Sequence, residues 1–247
     1  MTKPTIFVTG GASGIGAATV SRFLAGGWNV GFIDVQEPDN VPQGAMFIKA
    51  DTRDRAAVAE AAQQVAETFG GLKAVFANAG IHRKNTLLDI SDEELHTMLD
   101  INVVGTVNTL RATVPLLAEN GGGAVVVNAS DQVFIGKGAS FGYGLTKGAL
   151  GQLVKSCAID FAPLGVRINA VCPATIHTPL VDRIFDRLSA RTGIPVEDYL
   201  KEEAELFAGH RMGTPDEVAR MVFFLCSDDA AFCTGANYLI DGGLVNR

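Results

Sequence analysis

The chain of 247 residues is short of charge, and of basic charge in particular. Charged residues make up 19% of it, and 20 Lys and Arg are outnumbered by 27 Asp and Glu, which gives a formal net charge of −7. No basic stripe is available to neutralise a phosphate backbone, so we expect no nucleic-acid partner. The hydrophobic content of 47% instead supports one large buried core, and the length suits one domain.

Cysteine and histidine are also sparse, and neither forms a ligand pattern. The four cysteines, Cys157, Cys172, Cys226 and Cys233, show no CxxC spacing, and the four histidines are scattered along the chain. The spacing argues against a disulfide framework and predicts no metal site. We expect four reduced thiols in a cytoplasmic protein.

Long apolar runs are missing as well. The opening residues 1–4 lead directly into an apolar strand pattern, without the charged and apolar regions of a signal peptide, and no apolar run reaches membrane-spanning length. We therefore expect a soluble, unprocessed protein with no membrane partner.

Strand-like and helix-like segments alternate from end to end. This alternation predicts an α/β fold, a single-domain Rossmann-type doubly wound parallel sheet with helices on both faces, over residues 1–247. The predicted strands are 5–9, 30–34, 47–50, 74–78, 125–129, 167–171 and 238–240. The predicted helices include 17–25, 143–161 and a long helix from Asp92 with apolar residues at Leu95, Leu99, Val103, Leu110, Val114 and Leu117.

Two regions depart from the regular alternation. Two prolines and a glycine between Asp34 and Phe47 leave no room for a full helix, so we expect a turn or a single helical turn there. Residues 174–212 make a long excursion with two helix-like stretches, 179–190 and 195–208. An insertion of this length after a strand predicts a substrate-binding lid.

A glycine pattern follows the first predicted strand and opens a helix. It consists of Gly10, Gly14 and Gly16, with Ser13 and Ile15 between them. Such glycines let a pyrophosphate approach the backbone closely, and the helix N-terminus offers free N–H donors and partial positive charge. The pattern predicts a dinucleotide site.

Asp34 ends the second predicted strand, where a carboxylate can accept hydrogen bonds from both hydroxyls of an adenosine ribose. It would repel a 2′-phosphate, and no cation follows it immediately, so the pattern favours NAD over NADP; the alternative is a plain strand-end turn residue. Asp51, after the third predicted strand, fits two interpretations equally well. It could bind the adenine, or it could cap a helix beginning at Arg53.

The second chemical pattern is Tyr143 and Lys147, one helical turn apart, with Ser130 upstream. A phenol has an ordinary pKa of about 10, which is high for a base near neutrality. The Lys147 ammonium on the same helix face, together with the positive nicotinamide of an oxidised cofactor, would favour the phenolate. Alone, this spacing is also typical of a solvated helix face, but beside the glycine pattern it predicts proton and hydride transfer at a carbinol carbon.

Together these motifs resemble the short-chain dehydrogenase/reductase family over essentially the whole chain. The matching elements are Thr9-Gly10 with Gly14 and Gly16, Asn78-Ala79-Gly80, Asn102, Ser130, Tyr143 with Lys147, Pro173 with Thr178, and Asp241-Gly242-Gly243. The resemblance implies the sheet order 3-2-1-4-5-6-7 and an Asn102–Ser130–Tyr143–Lys147 tetrad.

The resemblance also implies individual roles at the cofactor. Lys147 would hold the nicotinamide ribose, Asn102 would support a water-linked proton relay, and Thr178 would contact the carboxamide. Asn78, Gly80 and Pro173 would complete the cofactor site. Two departures from the family pattern, Ala77 and Ala174 where the family has Asn and Gly, remove no reacting group.

Several polar residues are expected around the nicotinamide. The candidate substrate contacts are Ser130, Tyr143, Gln132, His82, His177 and Arg183, joined by Asp131 and Arg83, although each of the polar side chains could equally be solvated. The short connection after Asp34 resembles that of members acting on small hydroxy acids or sugar acids. We therefore favour a small polar secondary alcohol such as a sugar, polyol, sugar acid or hydroxy acid.

Two other functions remain open at this point. One is a dehydrogenase of an apolar or cyclic alcohol, for which Phe134, Phe141, Phe185 and Phe207 could supply pocket walls. The other is a non-catalytic NAD-binding scaffold, against which the intact Ser130, Tyr143 and Lys147 argue. The two long helices and the family resemblance further suggest a homodimer or homotetramer.

Overall fold

Seven parallel strands form the centre of the structure, in the order β3-β2-β1-β4-β5-β6-β7. The computed structural model describes residues 3–246, so Met1, Thr2 and Arg247 of the expected domain lie outside the described residues. The strands are β1 (Thr5–Thr9), β2 (Asn29–Asp34), β3 (Ala45–Lys49), β4 (Ala74–Ala77), β5 (Gly123–Asn128), β6 (Val166–Pro173) and β7 (Asn237–Ile240). The order confirms the α/β fold and the topology that the resemblance implies.

Helices cover both faces of this sheet. They are α1 (Gly14–Ala25), α2 (Arg55–Phe69), α3 (Asp92–Met98), α4 (Gly105–Glu119), α5 (Phe141–Phe161), α6 (Pro179–Thr192), α7 (Val196–Glu205) and α8 (Pro215–Cys226). No helix in residues 3–246 has both the length and the apolar content needed to cross a membrane.

Successive residues of the central strands feed two separate cores. In β5, Val125 and Val127 pack with α2, α4 and α5 on one face, whereas Ala124 and Val126 pack with α1 and α8 on the other. Because both faces are buried, the strands are continuous apolar runs rather than alternating ones. On the second face, the fully buried Phe23 ring contacts Trp28 and Phe223 edge-on.

The connection from β2 to β3 contains no helix, as the sequence predicts. The backbone N–H of Ala45 donates to the Pro42 carbonyl at 3.0 Å, closing a turn immediately before β3. Across the sheet, Asp34 at the end of β2 pairs in register with Lys49 at the end of β3. The carboxyl ends of these strands therefore stay open to a ligand.

The long helix expected from Asp92 is not one regular helix. A π-helical segment, Leu99–Val104, separates α3 from α4. The wider turn rotates the buried face, so Met98 and Asn102 are fully buried whereas Leu99 and Val103 are only partly buried. π-Helical turns occur frequently at functional sites, and here the turn carries a polar amide into the interior.

The excursion at 174–212 contains α6 and α7 and is tied to the fold at both ends. A bridge joins Ile176 to Gly213, with the His177 N–H donating to the Gly213 carbonyl at 2.9 Å. Phe207, at the end of α7, is buried and lies beside Gly242 after β7.

The capping interpretation of Asp51 is wrong. Helix α2 begins at Arg55, not at Arg53, and its N-cap is Asp54, whose side chain accepts from the N–H groups of Ala56 and Ala57. Asp51 instead accepts from the backbone N–H and the guanidinium of Arg53, at 2.9 and 2.5 Å. Asp51 and Asp54 are three residues apart, and from the sequence either could cap the helix. The backbone places Asp54 at the N-cap position.

Replacement of Asp54 by Ala should lower the free energy of unfolding by about 1 kcal/mol, the usual contribution of an N-cap side chain. Urea denaturation without cofactor measures the change, with Asp51→Ala as the matched control that removes the same charge from the same turn. A larger loss in Asp51→Ala than in Asp54→Ala would contradict the assignment of the cap.

Candidate active site

The loop from β1 into α1 is held by groups from the neighbouring strands. The N–H of Gly10 donates to the Ile33 carbonyl at 2.8 Å, and the Asn78 side-chain amide donates to the carbonyls of Thr9 and Gly10, both at 3.0 Å. Gly10 and Gly14 adopt φ of +67° and +54°, where other residues are strained. A Cβ on Gly16 would lie 1.9 Å from the Gly10 carbonyl oxygen, so α1 can approach the loop only with glycine there.

The Asp34 carboxylate is oriented by two backbone groups at the end of β2. One oxygen accepts from the N–H of Ala12 in the glycine loop, and the other accepts from the N–H of Gln36, both at 3.0 Å. Asp34 therefore stabilises the loop as well as facing the cavity beside it. Sequence reasoning assigned it only the second of these roles.

One cavity of about 1080 Å³ runs along the carboxyl ends of the strands. From β3 to β6 these ends carry Asp51, Asp34, Gly10, Asn78, Ser130 and Pro173 in spatial order. Most predicted site residues line it, namely Gly10, Ser13, Gly14, Ile15, Asp34, Asp51, Asn78, Gly80, His82, Ser130, Gln132, Tyr143, Lys147, Pro173, Thr178 and Arg183. Gly16 and Asn102 lie behind this surface, and both are buried.

Tyr143 and Lys147 project from the first half of α5 into this cavity. The Lys147 Nζ lies 5.5 Å from the centroid of the Tyr143 ring and donates to the Asn128 carbonyl at the end of β5, at 2.6 Å. Burial lowers the pKa of Lys147 to about 8, because desolvation disfavours the charged form.

Burial also governs the pKa of Tyr143. The pKa of the phenol is raised above its ordinary value, chiefly by desolvation, with a hydrogen bond from Ser130 opposing the change and the charge of Asp131 adding to it. The expectation that Lys147 and an oxidised nicotinamide together favour the phenolate stays a prediction, because it concerns the protein with its cofactor bound. A bare spacing of four residues carries no information on desolvation.

Ser130 follows β5, and its Oγ accepts from the Gln132 N–H at 3.2 Å and donates to the Asp131 Oδ1 at 2.8 Å. A hydrogen bond from Ser130 would lower the pKa of the Tyr143 phenol. Asp131 is 1% exposed, and its other oxygen lies 2.7 Å from the Lys137 Nζ. Lys137 was missed from the sequence, where it lies in an unremarkable loop between two glycines.

Asn102 acts as a support behind the cavity. Its amide donates to the Ile81 carbonyl at 3.0 Å and to the Thr146 hydroxyl at 2.9 Å, while its oxygen accepts from the Ile81 N–H at 2.8 Å. Both amide hydrogens are thus used to join the loop after β4 to α5. The π-helical segment is what places this side chain between them.

Two histidines predicted to contact substrate have different outcomes. His177 is not among the residues that line the cavity; its Nε2 lies 2.9 Å from Asp182 and its side chain is half-exposed, so its contact with substrate stays a prediction. His82 does line the cavity, with its ring edge-on to Tyr143 at 4.5 Å between centroids. Burial and the nearby cations Lys84, Lys137, Lys147 and Arg83 lower the pKa of His82 to about 4, so the imidazole is neutral at pH 7.

The residues present fit a dinucleotide rather than a metal ion. A Cβ on Gly10 would come within 3.0 Å of Ala79, and one on Gly14 within 3.4 Å of Thr178, so the two glycines form a cradle that side chains would fill. Within residues 3–246, no group of three His, Cys, Asp or Glu lies close enough to hold a metal ion.

Known sequences match almost the whole chain. Residues 10–245 match the family model described as enoyl-(acyl carrier protein) reductase. The oxidoreductase UcpA of Escherichia coli K12 is 32% identical, over 98% of this chain and 95% of UcpA. A 3-alpha-(or 20-beta)-hydroxysteroid dehydrogenase of Mycobacterium tuberculosis is 31% identical, over 96% of this chain and 88% of its own.

Solved structures give the same result. The ligand-free aldohexose dehydrogenase of Thermoplasma acidophilum superposes with a TM-score of 0.94 at 31% identity, covering 99% of this chain and 95% of its own. ElxO with NADP bound superposes with a TM-score of 0.89 at 26% identity, covering 99% and 100%. The chain therefore belongs to the short-chain dehydrogenase/reductase family, whose members are oxidoreductases that bind nicotinamide cofactors.

Proposed function

We propose that this oxidoreductase is NAD-dependent and interconverts a secondary alcohol and a ketone on a small polar substrate. The observation that carries the proposal is that Ser130, Tyr143 and Lys147 line the same cavity as the glycine loop and Asp34. A hydroxyl, a phenol and an ammonium thus meet where a nicotinamide would lie, which is the set of groups that carbonyl reduction or alcohol oxidation needs.

Each of these three residues has a separate role in the proposed reaction. Tyr143 exchanges the proton with the substrate oxygen, Ser130 hydrogen-bonds that oxygen, and Lys147 holds the nicotinamide ribose. Because burial raises the pKa of Tyr143, the phenol needs positive charge beside it to ionise. Lys147 contributes one such charge, and bound oxidised NAD would contribute a second together with the carbon that accepts the hydride.

The choice of NAD rests on charge at the adenosine end of the cavity. Asp34 faces this end, and Arg53, a cation among the lining residues, is already bound to Asp51 at 2.5 Å. Lys49 at the end of β3 is likewise bound to Glu37, at 3.2 Å. The Asp34 carboxylate would therefore repel a 2′-phosphate, and Arg53 and Lys49 are already paired with other carboxylates. Asp51 keeps its proposed place beside the adenine.

Polar groups around Tyr143 support a polar substrate. His82, Asp131, Gln132, Lys137, Ser140 and Arg183 all line this part of the cavity. An apolar or cyclic alcohol is the second candidate, because the Mycobacterium relative is a hydroxysteroid dehydrogenase and Ile81, Ile135, Ile184 and Phe185 also line the cavity. Initial rates of NAD reduction with polyols, aldoses, sugar acids and hydroxy acids, against cyclic and steroid alcohols, separate the two.

Residues 174–212 are proposed to act as the substrate lid. Helix α6 contributes Leu180, Arg183 and Phe185 to the cavity wall, and Phe185 stacks on Tyr199 of α7 at 6.0 Å. The two helices therefore move as one packed unit above the site, between the anchors at Ile176 and Phe207. Such a lid would exclude water during hydride transfer.

Self-association through α4 and α5 is also proposed, as a homodimer or homotetramer. On α5, the large apolar side chains of Leu145 and Ile159 are 49% and 77% exposed. A symmetric helix pair would bury them. We further propose that the protein works in the cytoplasm, without nucleic-acid or membrane partners.

NAD should be favoured over NADP by at least tenfold in kcat/KM, about 1.4 kcal/mol, because Asp34 repels a 2′-phosphate. Asp34→Ala should bring the ratio towards one. Asp39→Ala, which removes the same charge from an exposed position nearby, should leave it unchanged. Equal kcat/KM for both cofactors in the unmodified protein would contradict the assignment.

Tyr143→Phe should reduce kcat by about 10²–10⁴-fold, the usual contribution of a general acid or base, while NADH binding measured by fluorescence stays close to normal. Tyr238→Phe is the matched control, since this phenol lies in β7 and does not line the cavity. More than a tenth of the original activity in Tyr143→Phe would show that another group transfers the proton.

His82 makes the stability of the fold depend on pH below neutrality. Because its pKa is about 4 in the folded chain and about 6.5 when unfolded, the unfolded chain binds the extra proton between these values. The free energy of unfolding should therefore fall as pH falls from 6.5 to 4, by at most about 1.4 kcal/mol per pH unit. In His82→Phe, which keeps a ring against Tyr143, this contribution should vanish. Urea denaturation at several pH values measures it, and the same change of unfolding free energy with pH in both proteins would disprove it.

A further inference from the structure

An ion pair lies beside Ser130 in the cavity wall. Asp131 is 1% exposed: one of its oxygens accepts from the Ser130 hydroxyl at 2.8 Å, and the other lies 2.7 Å from the Nζ of Lys137, whose side chain is 28% exposed. Burial of the Asp131 carboxylate carries a desolvation penalty that an apolar residue would avoid. The pair therefore calls for a role other than stabilising the fold.

The Ser130 hydroxyl has one hydrogen and two groups that compete for it. One is the Asp131 carboxylate, to which Ser130 donates at 2.8 Å, and the other is the Tyr143 oxygen, whose ionised form Ser130 would stabilise. A hydrogen bond to the ionised phenol favours that form, so the more strongly Asp131 holds the hydrogen, the less Ser130 supports the phenolate. The same hydrogen is needed by a substrate carbonyl oxygen, which can only accept.

The charge of Asp131 acts on Tyr143 in the same direction as this competition. The carboxylate raises the pKa of the phenol, and Lys137 at 2.7 Å offsets that charge. The other groups facing the phenol are Lys147 on α5, the neutral His82 after β4, and Cys172 on β6, a thiol whose pKa burial raises to about 12. Among the groups named here around the Tyr143 phenol, all within residues 3–246, Asp131 is the one carboxylate.

The loop that carries Lys137 is fixed to the rest of the site. Asn85, which is buried, donates from its N–H to the Ala139 carbonyl at 3.0 Å and accepts from the Phe141 N–H at 3.1 Å. Ala139 itself adopts a φ of +51°, a conformation that a non-glycine residue takes at some cost. The backbone two residues after Lys137 is therefore anchored, and the ammonium itself is held by Asp131 at 2.7 Å.

We propose that Asp131 and Lys137 form a charge-neutral positioning unit for Ser130. Asp131 orients the serine hydroxyl away from the phenol until substrate arrives, and Lys137 cancels the carboxylate's charge so that Tyr143 can still ionise. Neither residue exchanges a proton with substrate; both act through Ser130 and Tyr143. The inference rests on the proposed function, in which these two residues serve the reaction.

The test is the ionisation of Tyr143 in the NAD complex, followed by the near-ultraviolet absorbance of the phenolate. Each variant is compared with the same variant carrying Tyr143→Phe, so that the difference reports Tyr143 alone and NAD is the only added ligand. Asp131→Asn should lower the titration midpoint and Lys137→Met should raise it, each by about half a unit to one unit. Asp131→Asn/Lys137→Met, which is neutral again, should lie between the two.

Two further variants separate charge from structure. Lys137→Arg keeps the positive charge and should leave the titration midpoint of Tyr143 as it is in the unmodified protein. Lys84→Met removes an exposed cation from the same cavity wall and should shift the midpoint by much less, because solvent screens it. If Lys137→Met does not fold, the downward shift in Asp131→Asn, which keeps the size and one acceptor oxygen, decides the matter by itself.

The outcomes distinguish this inference from the function on which it rests. Midpoints that do not move, or that move in the same direction in Asp131→Asn and Lys137→Met, would overturn the positioning unit while leaving a Tyr143-dependent enzyme intact. Undiminished turnover in Tyr143→Phe would instead overturn the proposed function. Opposite shifts of the two midpoints, with Lys137→Arg unchanged, support the unit.

Discussion

One chain of hydrogen bonds joins the cofactor loop to the reacting groups, and the rest of the site depends on it. The Asn78 amide donates to Thr9 and Gly10, its oxygen accepts from the Asn128 side chain at 2.9 Å, and the Asn128 carbonyl accepts from Lys147. These residues lie at the ends of β1, β4 and β5, which are adjacent strands of the sheet. Side chains anchored on adjacent strands of the sheet therefore link the glycine loop to α5.

This arrangement has a cost at the centre of the site, where both Tyr143 and Lys147 lose solvent. Desolvation pushes the pKa of the phenol up and the pKa of the ammonium down, so each group is less ready to carry charge than it would be in water. Charge must then come from neighbours. In the arrangement proposed above, the charges of Asp131 and Lys137 set how readily the phenol ionises, so these two residues matter to the reaction without exchanging a proton with substrate.

The sequence predicted the parts of the structure that local patterns encode. Alternating strand-like and helix-like segments predicted the doubly wound parallel sheet, the family resemblance supplied the strand order, and the glycine spacing located the loop that folds around Gly16. What it missed depends on three-dimensional detail. The π-helical turn is invisible to a repeat-based interpretation, since the apolar residues at Leu99 and Val103 continue the helical spacing even though Asn102 is the residue that faces inward. The pairing of His177 with Asp182, one turn into α6, was likewise not readable from the sequence.

The π-helical segment also constrains how the chain can change length. Its wider turn accommodates one residue more than a regular helix would, and a helix advances by about 100° per residue. Deleting one residue between 99 and 104 would therefore let a regular helix run from α3 into α4 with both in register. The wider turn that places the Asn102 amide between the loop after β4 and α5 would be lost. Surface loops can gain or lose residues with little consequence, whereas the number of residues in 99–104 determines whether Asn102 reaches the active site.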